Sequence, residues 1–206
     1  MNEVFLQLPR EKQLAIYNAS MEVFGEYEYK RASTDLIAVK AGISKGLLFY
    51  YFHNKKSLYM HTFDYVSEMI RESVCDSHLA EITDFFEFVE YAKKKKVQRL
   101  NETPYIIQFA LRSFYSKNEV VSDELQANIA GAIEETFQTY FRNMEWHKFK
   151  EGIDPKQILN MMVWMTDGYM HTRQIEGKPI VVDDVSSAFE EWAVLFKKIA
   201  YKEEYQ

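Results

Sequence analysis

One cysteine, four prolines and seven glycines are all that 206 residues contain of the residue types that staple, kink or loosen a chain. A lone Cys75 excludes an intrachain disulfide and suits a reducing compartment. The scarcity of proline and glycine, with no sustained apolar/polar alternation and no Asn-Gly turn pair, argues against strands and predicts an all-α fold. No apolar run approaches the ~18–20 residues of a membrane span, and the opening MNEVFLQLPR lacks the basic-then-apolar order of a signal peptide. A cytoplasmic chain with no membrane partner is the expectation. Gly-x-Ser-x-Gly, P-loop and dinucleotide glycine patterns are missing, so neither enzymatic activity nor a cofactor is expected. His53, His61, His78 and His147 share no ligand spacing, and Asp167 with His171, one helical turn apart, lacks the further ligands of a metal site.

What the chain has is apolar bulk, 47% hydrophobic and 16% aromatic residues, and an uneven charge. The formal net charge is -6, yet residues 1–57 carry 8 Lys+Arg against 6 Asp+Glu, and residues 58–206 carry 17 against 25. Within 30–57, Lys30, Arg31, Lys40, Lys45, Lys55 and Lys56 face only Asp35. A basic module on an acidic body brings cations to phosphates locally, without an overall positive charge.

Helical spacing organises this module. Pro9 suits a first helical position, and Ile16, Ala19, Ser20, Val23 and Phe24 mark one buried face. Ser33 or Thr34 caps a short helix through Lys40, with Leu36, Ile37 and Ala41 packing inward, and Gly42 stops it. Ser44 opens the next helix two residues later, and Asn54 caps a long fourth one carrying Leu58, Phe63, Val66, Met69 and Ile70. Helix, tight glycine turn, helix is a supersecondary unit that reads DNA. On its second helix Leu48 and Phe52 are expected to anchor inward, while Leu47, Tyr50 and Tyr51 point outward. Further helices are expected from Ile82 to about Lys95, Pro104 to Ser116, Ser122 to about Lys148, Pro155 to His171 or Gln174, and Asp183 or Asp184 to about Tyr201, making about nine. Lys93 to Lys96 reads as a solvated helix end.

The run Ser33-Thr34-Asp35-Leu36-Ile37-Ala38, then Ala41-Gly42-Ile43-Ser44-Lys45-Gly46, Phe49-Tyr50-Tyr51-Phe52, Lys55 and Leu58 resembles the signature of TetR-family regulators. The resemblance covers about 50 residues. It implies a sequence-specific DNA-binding transcriptional regulator, a repressor released from its operator by a small hydrophobic or amphipathic effector. By residue, it implies phosphate contacts from Thr34, Tyr50, Tyr51 and Lys55, with Lys45 and Gly46 facing the major groove. Ser44, Leu47 and Phe49 complete the candidate DNA-binding set. Phe49 stands where the family commonly has tyrosine, Leu47 where threonine or a small polar residue is usual, and Glu28 where a glycine usually ends the first helix. Residues 1–53 thus form an expected helix-turn-helix domain and 54–206 a ligand-sensing and dimerisation domain, with 54–77 as a connecting helix. The competing reading is an all-helical small-molecule carrier with a degenerate helix-turn-helix.

In the larger part, the stretch from Asp154 to His171 is apolar nearly all round, and the last helix carries a wide apolar stripe. Two such helices from each of two subunits would make a four-helix homodimer interface, with Met162, Phe189, Trp192 and Phe196 as its candidates. A dimer also matches a palindromic double-stranded operator. Tyr105, Phe109, Phe114, Phe137, Phe141, Met161, Trp164, Met165 and Tyr169 are the candidate lining of an adaptable apolar effector pocket.

Overall fold

The computed structural model describes residues 3–103, 105–114, 120–125, 127, 131, 139, 141 and 144–206. Among these the chain is all-α, with one isolated antiparallel bridge between Phe149 and Tyr201. It divides into two compact units, residues 1–72 with 102–133, and residues 73–101 with 134–206.

The first unit contains α1 (Glu3–Leu6), α2 (Arg10–Glu26), α3 (Thr34–Lys40), α4 (Lys45–Phe52), nearly all of α5 (Lys55–Val74), and α8 (Ile106–Phe114). The short polar residues start these helices as expected. Ser33 Oγ accepts from Leu36 N at 3.4 Å, Ser44 Oγ from Leu47 N at 3.1 Å, and Asn54 Oδ1 from Ser57 N at 2.8 Å, each occupying an amide that has no partner within its helix. Ile16, Ala19, Ser20, Val23 and Phe24 are all buried, so the spacing on α2 did mark its inner face. α1 was not anticipated. Its one buried residue, Phe5, lies 4.7 Å from the Phe52 ring, 5.4 Å from Tyr17 and 5.7 Å from Tyr51, closing the core beneath α4. Tyr17 also stacks on Tyr65 at 4.1 Å, and burial, then the neighbouring Tyr65, pushes its phenol up to about 12.

α8 returns to this unit from a distant stretch of sequence and packs on α2. A Cβ on Gly25 would lie 3.0 Å from Phe109 N and 3.2 Å from Gln108 Cβ, so only glycine lets the two backbones approach this closely. Arg112 donates from Nε to the Gly25 carbonyl at 2.9 Å, occupying an acceptor near the end of α2. Phe109 is fully buried against Tyr59 and Phe24, and the Tyr59 hydroxyl shares a buried 2.8 Å hydrogen bond with Ser113.

The second unit holds α6 (Ser77–Glu81), α7 (Phe85–Glu102), α9 (Pro155–Ile175) and α10 (Val182–Ala200). Asp154 caps α9 by accepting from Lys156 N at 2.9 Å, with Pro155 in the first turn, as the sequence predicts. α6 is a second unanticipated helix, and α7 starts at Phe85 rather than Ile82 because Asp84 caps it, accepting from Phe86 N and Glu87 N at 3.0 and 3.1 Å. α7 then continues to Glu102, so Lys93 to Lys96 lie inside the helix and not at a solvated end. The expected helix from Ser122 to Lys148 lies mostly outside the described residues. Its end is corrected: Trp146–Lys148 is a 3-10 turn that leads into the Phe149 bridge, where Lys150 N donates to the Ala200 carbonyl at 2.8 Å and Lys202 N to the Lys148 carbonyl at 2.9 Å. The core of this unit gathers Phe85, Phe86, Phe88, Phe141, Phe149, Ile158, Met162, Phe196 and Tyr201.

Candidate DNA interface

α3 and α4 are joined by four residues, Ala41 to Ser44, in which Gly42 takes φ 68° and ends α3 in the left-handed region. Ile37 and Ala38 of α3 and Leu48 and Phe52 of α4 are buried. That burial fixes which sides of the two helices remain outside. Thr34 is half-buried at the start of α3, Ser44, Lys45 and Gly46 are exposed at the start of α4, Leu47 is 37% exposed and Tyr50 53%. Phe49 is half-buried, with the Lys45 ammonium 6.0 Å from its ring centroid. Lys45 Nζ donates to the exposed Asp35 carboxylate at 2.8 Å. An ion pair this wet is worth little, so a phosphate can compete for the lysine at small cost. A Cβ on Gly46 would meet nothing nearer than Ser44 Oγ at 3.9 Å, so glycine is not required here for packing within the chain.

Tyr51 departs from the expectation that both tyrosines point outward. It is 6% exposed, covered by α1 through Phe5. Because α1 was not foreseen, the cover over Tyr51 was not either. Lys55, half-buried at the start of α5, donates to the Lys30 carbonyl at 3.3 Å and stands 4.8 Å from the Tyr29 ring centroid. These contacts hold its stem on the scaffold near the turn before α3. Lys40 donates to Glu22 at 3.0 Å, and its hydrogen bond to that carboxylate raises its ammonium pKa. His53, at the C-terminal end of α4, has φ 63°, a strained value for a non-glycine residue just where the chain turns toward Asn54.

The effector and dimer candidates do not assemble as expected. Phe109 is core of the first unit and Phe141 core of the second. Tyr105 is 43% exposed with φ 66°. Met161 is half-buried against the second core. Met165 and Tyr169 do come together, on an open groove of about 420 Å³ completed by Arg173 and Trp192, whose ring is 5.9 Å from Tyr169. Phe137 and the side chain of Phe114 lie outside the described residues.

On α9, Met162 is fully buried, whereas Trp164, two residues on and on the opposite side of the helix, is 64% exposed. On α10, Phe196 is 9% exposed, while Val194, Leu195 and Ile199 are 57%, 52% and 48% exposed. Met162 and Phe196 are therefore core rather than interface, and Trp164 is surface rather than pocket. Phe189 and Trp192 are half-buried at the core's edge.

A family model for bacterial regulatory proteins of the tetR family matches residues 16–61, from within α2 into α5 and across the whole helix pair. Those residues form a tetR-family domain. No curated protein matches it. Among solved structures, the chain is similar to SmeT, the repressor of the Stenotrophomonas maltophilia multidrug efflux pump SmeDEF, at 15% identity and a TM-score of 0.71 over 96% of this chain and 95% of that one. The fatty acid degradation regulator FadR from Bacillus halodurans matches at 17% identity and a TM-score of 0.70, over 89% of this chain and 96% of that one. A TetR-like transcriptional regulator from Rhodococcus matches at 20% identity and 0.64, over 90% and 96%. These likenesses show a shared fold along nearly the whole length. Among the described residues, no helix is long and apolar enough to cross a membrane.

Proposed function

We propose that this DNA-binding transcriptional regulator is a homodimeric repressor that grips a palindromic operator with α3 and α4 and leaves it when a small hydrophobic or amphipathic effector binds. One observation carries the reading. Ser44, Lys45, Gly46, Leu47 and Tyr50 form a continuous exposed strip at the start of α4, and Leu48 and Phe52 on the reverse of that helix are fully buried. A helix anchored this firmly on one side presents the other as a rigid edge for the major groove. Thr34 and Lys55 flank that strip as phosphate donors, and Phe49 packs beside it. Residues 1–53 serve as the reading domain, and 54–206 sense and pair, with 54–77 connecting them. SmeT, one of the similar structures, is named as a repressor and has also been solved as a complex with triclosan, which supports a repressor answering to an apolar small molecule.

Fluorescence anisotropy with DNA from upstream of the chain's own gene tests the DNA half. Lys45→Ala and Tyr50→Ala are each expected to weaken specific binding by about 1–3 kcal/mol, five- to more than a hundredfold, with a shallower salt dependence for Lys45→Ala. Affinity unchanged in both variants sinks the reading.

Pairing is supported by the apolar surface that α9 and α10 leave open. Trp164, Ile175, Val194, Leu195 and Ile199 are all exposed on the isolated chain, and several large apolar side chains left in water on two helices favour a partner surface. A charge placed among them would be buried unpaired in a dimer at a cost of several kcal/mol. Trp164→Glu is accordingly expected to sediment as a monomer at concentrations where the native chain is a dimer. A native chain that is already monomeric in the micromolar range counts against the dimer itself.

A further inference from the structure

Two helices of the second unit, α7 and α10, border a recess of about 470 Å³, within the range of sites that hold small ligands. It shares no lining residue with the groove of Met165 and Tyr169. Phe86 from α7 and Phe189 and Ala193 from α10 give it an apolar floor. Ion pairs close it off at both ends along α7: Asp84 meets Lys148 at 2.9 Å, and Lys93 meets Glu190, tying α7 to α10. At the helical rise, the stretch of α7 from Asp84 to Lys93 is about 14 Å long.

The charges that line this recess do not balance. Lys148 is taken by Asp84 and also by Glu145 at 2.6 Å, Lys93 is taken by Glu190, and the Lys197 ammonium lies 5.7 Å from the Tyr201 ring centroid. Glu87 and Glu90 are left over. Both line the recess, both are exposed, and among the described residues no cation pairs with either. Three residues apart, they share one face of α7, where two like charges repel. An anion entering the recess adds to that repulsion, and a neutral molecule leaves it unchanged. A cation relieves it, through charge-assisted hydrogen bonds to two carboxylates that need release no other partner. The floor beneath them matches an apolar body, whose burial there removes hydrocarbon from water.

We propose that the recess between α7 and α10 binds a hydrophobic cation, an ammonium on an apolar chain, with Glu87 and Glu90 holding the ammonium and Phe86, Phe189 and Ala193 covering the chain. The site rests on the reading of the protein as responsive to a small effector and narrows that effector to a cation. Calorimetric titration of the full chain with octylammonium, octanol and octanoate, at matched ionic strength, tests it. The native protein should bind octylammonium at least about tenfold more tightly than octanol, and octanoate most weakly. Glu87→Gln combined with Glu90→Gln keeps the shape of both side chains while removing their charge, and should bring octylammonium to within about twofold of octanol. Ala193→Phe fills the floor from α10 and should weaken octylammonium binding at least about tenfold. The melting temperature of each variant without ligand reports that it is folded. Equal affinity of the native protein for the three compounds, or a preference for octylammonium that survives the double substitution, overturns the site. Anisotropy with upstream DNA keeps the two readings apart. Octylammonium that binds but leaves operator affinity unchanged overturns its role as effector, whereas a native chain that binds no upstream DNA at all sinks the regulator reading and leaves the calorimetric result standing.

Discussion

Gly46→Leu is expected to lower operator affinity by about a hundredfold, close to 3 kcal/mol, while leaving the free protein as stable as before or more so. The two halves of the result have separate causes. In the free chain a Cβ at this position meets only Ser44 Oγ at 3.9 Å, so the new side chain extends into open space. Leucine also restricts the unfolded chain more than glycine and favours the helix by about 0.8–1 kcal/mol. In the proposed complex the duplex takes the same space, at the exposed N-terminal turn of α4. Most substitutions that abolish function also destabilise, so a more stable protein that no longer binds would be diagnostic. Melting temperature and anisotropy on one preparation decide it. Retained affinity would place Gly46 outside the interface, and a fall in melting temperature would mean that the free protein cannot accommodate the side chain.

Phe5→Ala is expected to destabilise the protein by about 3–5 kcal/mol, the range for emptying a fully buried aromatic site. The ring is enclosed by Tyr17, Tyr51 and Phe52, all within 6 Å between centroids, and no other residue of α1 is buried. Its loss detaches α1 as a whole, uncovers Tyr51 and leaves the far side of α4 poorly supported. DNA affinity should therefore fall as well. Leu6→Ala, at a residue 60% exposed on the same helix, should stay within about 0.5 kcal/mol and serves as the control. Urea unfolding of both variants measures the contrast, and similar small effects would show that α1 contributes little to the core.

The parts of this fold that were legible in the sequence are those where one residue has a local job. Ser33, Ser44, Asn54 and Asp154 each accept hydrogen bonds from the start of a helix, and all four caps are where the chain spelled them. Gly42 ends α3 for the same local reason. What the pattern could not convey was phase. α9 is apolar nearly all round, so periodicity gives no preferred side: Met162, expected at an interface, is core, and Trp164, expected in a pocket, is surface. α1 escaped because four residues with one buried side chain carry no period, and with it went the burial of Tyr51. The lysine run misled for a different reason. Its members differ in environment by 100° steps around α7, a distinction that composition erases, leaving Lys93 and Lys95 in ion pairs and Lys94 and Lys96 exposed.

The close seat of α8 on α2 bears on how the chain is made. The first unit is built from residues 1–72 and 102–133, so its N-terminal helices leave the ribosome well before Phe109 can fill the space beside Phe24 and Tyr59. At roughly 5–20 residues per second, some two to eight seconds separate emergence of α5 from that of α8, during which those aromatic faces are open. A fragment ending after α5 would keep that condition permanently. Such a fragment should expose apolar surface and aggregate. For the same reason, exchange of reading heads between relatives of this fold needs a complementary α8 carried along with the first five helices.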